Sequence, residues 1–190
     1  MALSATIYRA AIQLSDIDRA LYEHLEVTVA RHPSETAERL VARLFAYALC
    51  YGEALSFTRG IAAGNEPDLW GREPDGRVRE WIEVGLPDPD RLRKASRHAG
   101  RVILVASGSG LRRWLEQHLP KLELIDNLTI LALDPVFVGR VAERLQRVID
   151  WSLTVSGGMI YLAIGSETLE CPLQVIRGER RSGDLPGGQG

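Results

Sequence analysis

Three residues in the middle of the chain have the types and spacing to act on a phosphate. Asp68 follows a proline in Asn65-Glu66-Pro67-Asp68-Leu69-Trp70. Glu83 lies on an alternating stretch, Arg79-Glu80-Trp81-Ile82-Glu83-Val84, and Lys94 follows on the next element. Two carboxylates supply the hard oxygens that Mg²⁺ or Mn²⁺ takes, and a nearby cation orients a nucleophile or meets developing charge. On the alternating stretch Ile82 and Val84 share one face and Trp81 and Glu83 the other. Glu83 thus leaves the apolar face, as a metal ligand would and as a solvent-facing glutamate also would. Basic residues gather just downstream. Arg91, Arg93, Lys94, Arg97 and Arg101 occur with no acid among them, in a chain of net charge −2. A basic patch beside acids suits a phosphate-bearing ligand such as nucleic acid, and a charge run is also what a solvated helix face looks like.

The elements that must hold these residues read as α/β. Residues 5–14 alternate as a half-buried strand, and residues 24–29 form its antiparallel neighbour after a polar turn. Pro33 and the acid that follows it announce an amphipathic helix through Leu40, Leu44 and Phe45, ending near Tyr51-Gly52. Leu55, Phe57, Arg59 and Ile61 alternate next. Asp88-Pro89 is an N-cap followed by a first-turn proline, and it opens the basic helix. Residues 102–106 and 128–133 are continuous apolar runs, which suit strands buried on both faces. Between them lies a helix over 111–119. Asp134-Pro135 starts another helix, expected to run to about Val148. Three alternating stretches from Trp151 to Val175 then predict an antiparallel meander. The expected fold is a mixed sheet flanked by helices with a C-terminal β-meander. It occupies residues 1–177 as one domain, followed by a disordered Gly- and Arg-rich tail over 178–190.

Bulk composition is consistent with this. The chain has 190 residues, 45% hydrophobic and 25% charged, enough for one domain with a sizeable core. No long apolar run predicts a membrane span, and the N-terminus does not read as a signal peptide. Cys50 and Cys171 have no metal-ligand spacing and read as reduced, buried thiols in a cytoplasmic protein.

The whole chain resembles the YaeQ family. The matching pieces are Met1 to Tyr8, Ala30-Arg31-His32-Pro33-Ser34-Glu35-Thr36 with Glu38-Arg39, Phe57-Thr58-Arg59-Gly60, Glu66 to Trp70, Trp81 to Asp88, and Arg91 with Lys94-Ala95. The resemblance implies a variant PD-(D/E)XK nuclease-like fold. Carried onto this sequence, Asp68 takes the first acid position and Glu83 the second, the pair that would bind metal. The lysine position holds Gly85, a departure from the pattern. Lys94 is the candidate for a migrated lysine, because only two of the 23 basic residues are lysines. Helical spacing turns it away from Leu92 and Ala95. The superfamily also uses a glutamate on the preceding helix. Glu38 lies about 90° from the centre of the apolar stripe and Glu35 about 150°, so Glu38 is favoured. Glu35 instead suits the helix N-terminus and an i,i+4 pair with Arg39.

The implied protein is a Mg²⁺-dependent nuclease-like protein on nucleic-acid phosphodiesters, with Arg59 and Arg91 on phosphate and Arg93 and Arg97 on the basic patch. The missing lysine motivates an alternative, an inactive nuclease-fold module that binds nucleic acid or a protein partner in a regulatory role. Two weaker signals remain. Ser107-Gly108-Ser109-Gly110 could offer amides to a phosphate, but it matches no phosphate-loop pattern and reads as a helix-start loop. Trp70, Trp81 and Trp114 have faces on which bases could stack, although core packing suits most tryptophans.

Overall fold

The computed structural model describes residues 4–58 and 65–180. The elements run β1 (Thr6–Asp16), β2 (Leu21–Arg31), α1 (Ala37–Leu49), β3 (Leu55–Phe57), β4 (Leu69–Arg72), β5 (Val78–Val84) and α2 (Pro89–Ser96). They continue with β6 (Ala99–Ala106), α3 (Leu111–Leu122), β7 (Leu128–Ala132), α4 (Pro135–Ala142), β8 (Val148–Ser156), β9 (Met159–Ile164), β10 (Glu167–Pro172) and β11 (Gln174–Arg177).

The strands form two mixed sheets where the sequence reading expects one. The first has the order β10-β9-β8-β1-β2 and the second β11-β7-β6-β5-β4-β3. In the first, β1 pairs antiparallel with β2 and parallel with β8, from Arg9 opposite Val148 to Asp16 opposite Val155. In the second, β5, β6 and β7 run parallel, flanked by antiparallel β4 and β11. The crossovers α2 and α3 cover one face of this sheet, packing Leu92, Ala95, Leu111 and Trp114 on Val102, Leu104 and Ile130. The other face contributes Ile82, Val84, Ile103, Val105 and Leu131 to the main core, shared with α1, α4 and the inner face of the first sheet. Strand β6 is therefore buried on both faces, as its apolar run requires.

Three element boundaries differ from the sequence expectation. Helix α1 starts at Ala37, not around Pro33; Thr36 is the N-cap, its side chain accepting from the Arg39 amide. Pro33 sits in a turn closed by the Glu35 amide on the His32 carbonyl (2.9 Å), and a residue before proline resists helical geometry. Helix α4 stops at Ala142, because alternating Ile149, Trp151, Leu153 and Val155 are needed for β8. The meander β8-β9-β10 forms as expected, but the last stretch is cut at Pro172, which has no amide for a ladder. Leu173 then carries the chain to the second sheet, where β11 pairs with β7. The strand expected through Arg59 and Ile61 is described only over Leu55–Phe57; positions 59–64 lie outside the described residues. Of the tail, Arg180 is described: its guanidinium meets the buried Asp16 carboxylate. Arg180 also donates to the Leu49 carbonyl at the end of α1, as Arg19 does at 3.0 Å. Positions 181–190 lie outside the described residues. No described helix is long and apolar enough to cross a membrane.

Candidate functional site

Asp68 and Glu83 are drawn together by a short hairpin. Leu69 pairs with Ile82, and the ladder reaches one residue further as the Asp68 amide donates to the Ile82 carbonyl at 3.0 Å. The Asp68 side chain closes the loop: its Oδ2 accepts from the Val84 amide at 2.8 Å. Asp68 is 2% exposed and Glu83 5%. Both face one cavity of about 570 Å³, also lined by Glu38, Arg39, Glu66, Gly85, Arg91 and Gly108. It opens at the C-terminal ends of β5 and β6, where a parallel α/β sheet presents loops to a ligand.

Each buried acid has an arginine. Arg39 Nη2 donates to Asp68 Oδ1 at 2.7 Å, and its Nη1 donates to Glu35 Oε1 at 3.2 Å. Arg91 Nε donates to Glu83 Oε1 at 2.7 Å, and Arg91 Nη2 to the Glu66 carbonyl at 2.6 Å. Trp81 Nε1 donates to the same Glu83 oxygen at 2.7 Å. Behind the cavity, buried Arg43 gives Nη1 to both oxygens of Glu35 at 3.1 Å. Its Nε, buried without a hydrogen-bond acceptor, stands 3.7 Å from Asp68 Oδ1. Glu35 is thus a buried clamp on two arginines and lies outside the helix. The Glu83 carboxyl is held above its ordinary value chiefly by burial, with the Asp68 charge acting in the same direction; Trp81 and Arg91 oppose them. A buried carboxylate whose charged form is disfavoured, with a second acid beside it, is a place where a cation is favoured.

The other expected residues fall as follows. Glu38 is exposed in the first turn of α1 and lines the cavity. Lys94 is exposed and is not among the residues lining it. Arg93 is engaged by Asp90, one turn back on α2, and Arg97 is the exposed C-cap of that helix. Arg59 lies outside the described residues. Gly85, at the expected lysine position, has φ +105° while its amide continues the ladder to Val105 at 3.0 Å. That conformation favours glycine over any residue with a Cβ. Ser107 and Gly108 also line the cavity, and Gly110 occupies the N-cap of α3. Arg39 is the cavity residue that sequence reasoning overlooked as a site residue. Its one signal was the i,i+4 spacing from Glu35; its bond to Asp68 spans 29 positions.

The chain belongs to the YaeQ family: the family model described as YaeQ protein matches residues 1–173. It is 38% identical over 174 residues to the uncharacterized protein YaeQ of Salmonella typhi, covering 91% of this chain and 96% of that one. It is 37% identical, with the same coverage, to YaeQ of Escherichia coli strain K12. Its fold matches the crystal structure of YaeQ from Pseudomonas syringae, with TM-score 0.88, 41% identity and coverage of 93% of this chain and 98% of that one. The YaeQ structure from Xanthomonas axonopodis pv. citri matches with TM-score 0.89 and 32% identity, over 93% of this chain and all of that one.

Proposed function

We propose that the Asp68–Glu83 cavity is the phosphodiester site of a metal-dependent, nuclease-like protein, with the second sheet serving as a PD-(D/E)XK-type core. The observation that carries this reading is the pair itself: two buried carboxylates from neighbouring ladder positions face one cavity. Mg²⁺ commonly takes one or two protein carboxylates and keeps water or phosphate oxygens elsewhere. Asp68 and Glu83 fit that donor set. Among the described residues no group of three or more His, Cys, Asp or Glu is placed to hold a metal, so water and phosphate would complete the sphere. When bound, the ion would polarise the phosphate and acidify a bound water. Arg39 and Arg91 now neutralise the acids, and their side chains are 28% and 33% exposed. Both line the cavity, where they would hold a phosphate beside the carboxylates they now pair with. Glu38 assists through a water from the rim of α1. Lys94, Arg93 and Arg97 guide the strand along α2 by charge.

The test is Mn²⁺ calorimetry on wild type, Asp68→Asn and Glu83→Gln. Binding by the wild type that both variants lose is the expected result, and it justifies assays for cleavage. Undiminished binding in the variants refutes the site.

The positive φ of Gly85 favours a second reading, a module that binds nucleic acid or a protein partner without cutting, because the motif lysine has no comfortable place there. It is distinguished by salt-sensitive nucleic-acid binding in the absence of divalent metal. Arg93→Glu with Arg97→Glu abolishes that binding if the module acts on nucleic acid through α2, and unchanged affinity rejects it.

A further inference from the structure

Trp70 stands directly opposite Trp81 in the β4–β5 ladder, so it shares the sheet face that carries Glu83. Helices α2 and α3 bury the part of this face over β6 and β7. Trp114 is consumed there, 7% exposed with its indole donating to the Pro87 carbonyl. Trp81 packs at the edge of that cluster and is fixed by its bond to Glu83. Trp70 lies one strand further out, half-buried. Its neighbour on β3 is Ser56, an exposed residue. The exposed Arg72 lays its guanidinium over the Trp70 ring, 3.6 Å from the centroid. The result is a flat, cationic ledge on β4, one strand to the side of Trp81 and outside the residues that line the cavity. Arg91, paired with Glu83 at the cavity, lies one turn before exposed Lys94 on α2. Of the two acids in the β4–β5 turn, Glu73 and Asp75, Asp75 is paired with Arg77.

We infer that Trp70 and Arg72 form a stacking platform for an unpaired base beside the Asp68–Glu83 cavity, and that the ligand is therefore a single-stranded nucleic acid. The inference rests on the proposed phosphodiester site and specifies its substrate class. A base stacks on the outer plane of the guanidinium or replaces it on the indole; planar cations and aromatic rings both serve this purpose. Paired bases in a duplex present edges and phosphates and cannot reach the ledge with their faces. A hairpin that needed Trp70 only for packing would accept a large aliphatic side chain in its place.

The experiment is fluorescence anisotropy with a labelled single strand of about 20 nucleotides and the matching duplex, on wild type, Trp70→Leu, Trp70→Phe and Arg72→Gln. The wild type is expected to favour the single strand. Trp70→Leu weakens single-strand binding on the order of 10- to 100-fold and leaves duplex binding unchanged, whereas Trp70→Phe keeps most of it. Arg72→Gln gives a smaller loss and a shallower salt dependence. Retained affinity in Trp70→Leu, or an equal loss in Trp70→Phe and Trp70→Leu, overturns the platform. A wild type that binds Mn²⁺ and duplex but not the single strand overturns the platform alone. Failure to bind Mn²⁺ and either nucleic acid overturns the underlying phosphodiester site as well.

Discussion

Replacing Gly85 with lysine would complete the PD-(D/E)XK-type pattern that the proposed function invokes, and is expected to destabilise the fold. Gly85 has φ +105°, and a Cβ built there meets no heavy atom within 4 Å. No clash contributes, so the cost is that of holding an L-residue in a sparsely populated backbone region, about 1–3 kcal/mol. Because the cost comes from φ, Gly85→Ala should lose the same amount as Gly85→Lys, to within about 0.5 kcal/mol. For a chain of this size about 2 kcal/mol corresponds to a fall in Tm of roughly 4–8 °C. Urea unfolding reads it directly: the midpoint falls in both variants and the slope is unchanged. Two outcomes would refute the reasoning. Stability unchanged in both variants means the backbone is not strained there. A much larger loss in Gly85→Lys than in Gly85→Ala means the side chain, not φ, excludes lysine. The expected result explains in physical terms why a cation at this cavity has to come from Arg39 or Arg91.

Two further outcomes follow from the charges. Asp68→Ala removes one of the two carboxylates that Arg39 and buried Arg43 share, leaving Glu35, and removes the acceptor of the Val84 amide, so unfolding free energy should fall by about 1–3 kcal/mol; a loss below about 0.5 kcal/mol in urea titration would show that these contacts are dispensable. Burial raises the folded-state carboxyl of Glu83 above its ordinary 4.5, so its contribution is complete below that pH and is lost as pH rises through the folded value. Stability of wild type relative to Glu83→Gln should therefore decline from about pH 4.5 upward and then level off, which urea midpoints across a pH series measure; a rising difference would contradict the assigned shift.

What could be read from the sequence was local. Asp88-Pro89 and Asp134-Pro135 marked the starts of α2 and α4 because an N-cap and a first-turn proline act within a few residues. The apolar run at 102–106 gave a strand buried on both faces, and alternation placed Glu83 off the face of Ile82 and Val84. Long-range pairing was not legible. Nothing local tells β1 to take β8 as a parallel neighbour, so the sequence suggests one sheet where the fold has two. The start of α1 differs for a local reason that residue types do not reveal: Glu35 closes the turn at His32 and is held there by Arg39 and Arg43, so the helix begins after Thr36. Arg39 looked like the partner of Glu35 alone, because its second bond reaches across the fold to Asp68. The cation over Trp70 was similarly hidden, since residues two apart on a strand share a face but their contact depends on rotamers.

The first sheet also has an order of assembly written into its topology. Strand β1 takes one neighbour, β2, from the adjacent hairpin and the other, β8, from residues beginning at Val148. A ribosome emitting this chain releases β1 with one edge satisfied and the other bare, and it must deliver five of the six strands of the second sheet, β3 to β7, before the missing strand emerges. Closure of so long a loop is slow, and an open strand edge is a template for the wrong partner. The nascent chain thus spends most of its synthesis with its first strand half-paired, which makes the N-terminal hairpin the segment most in need of shielding before Val148 and the strand it opens arrive.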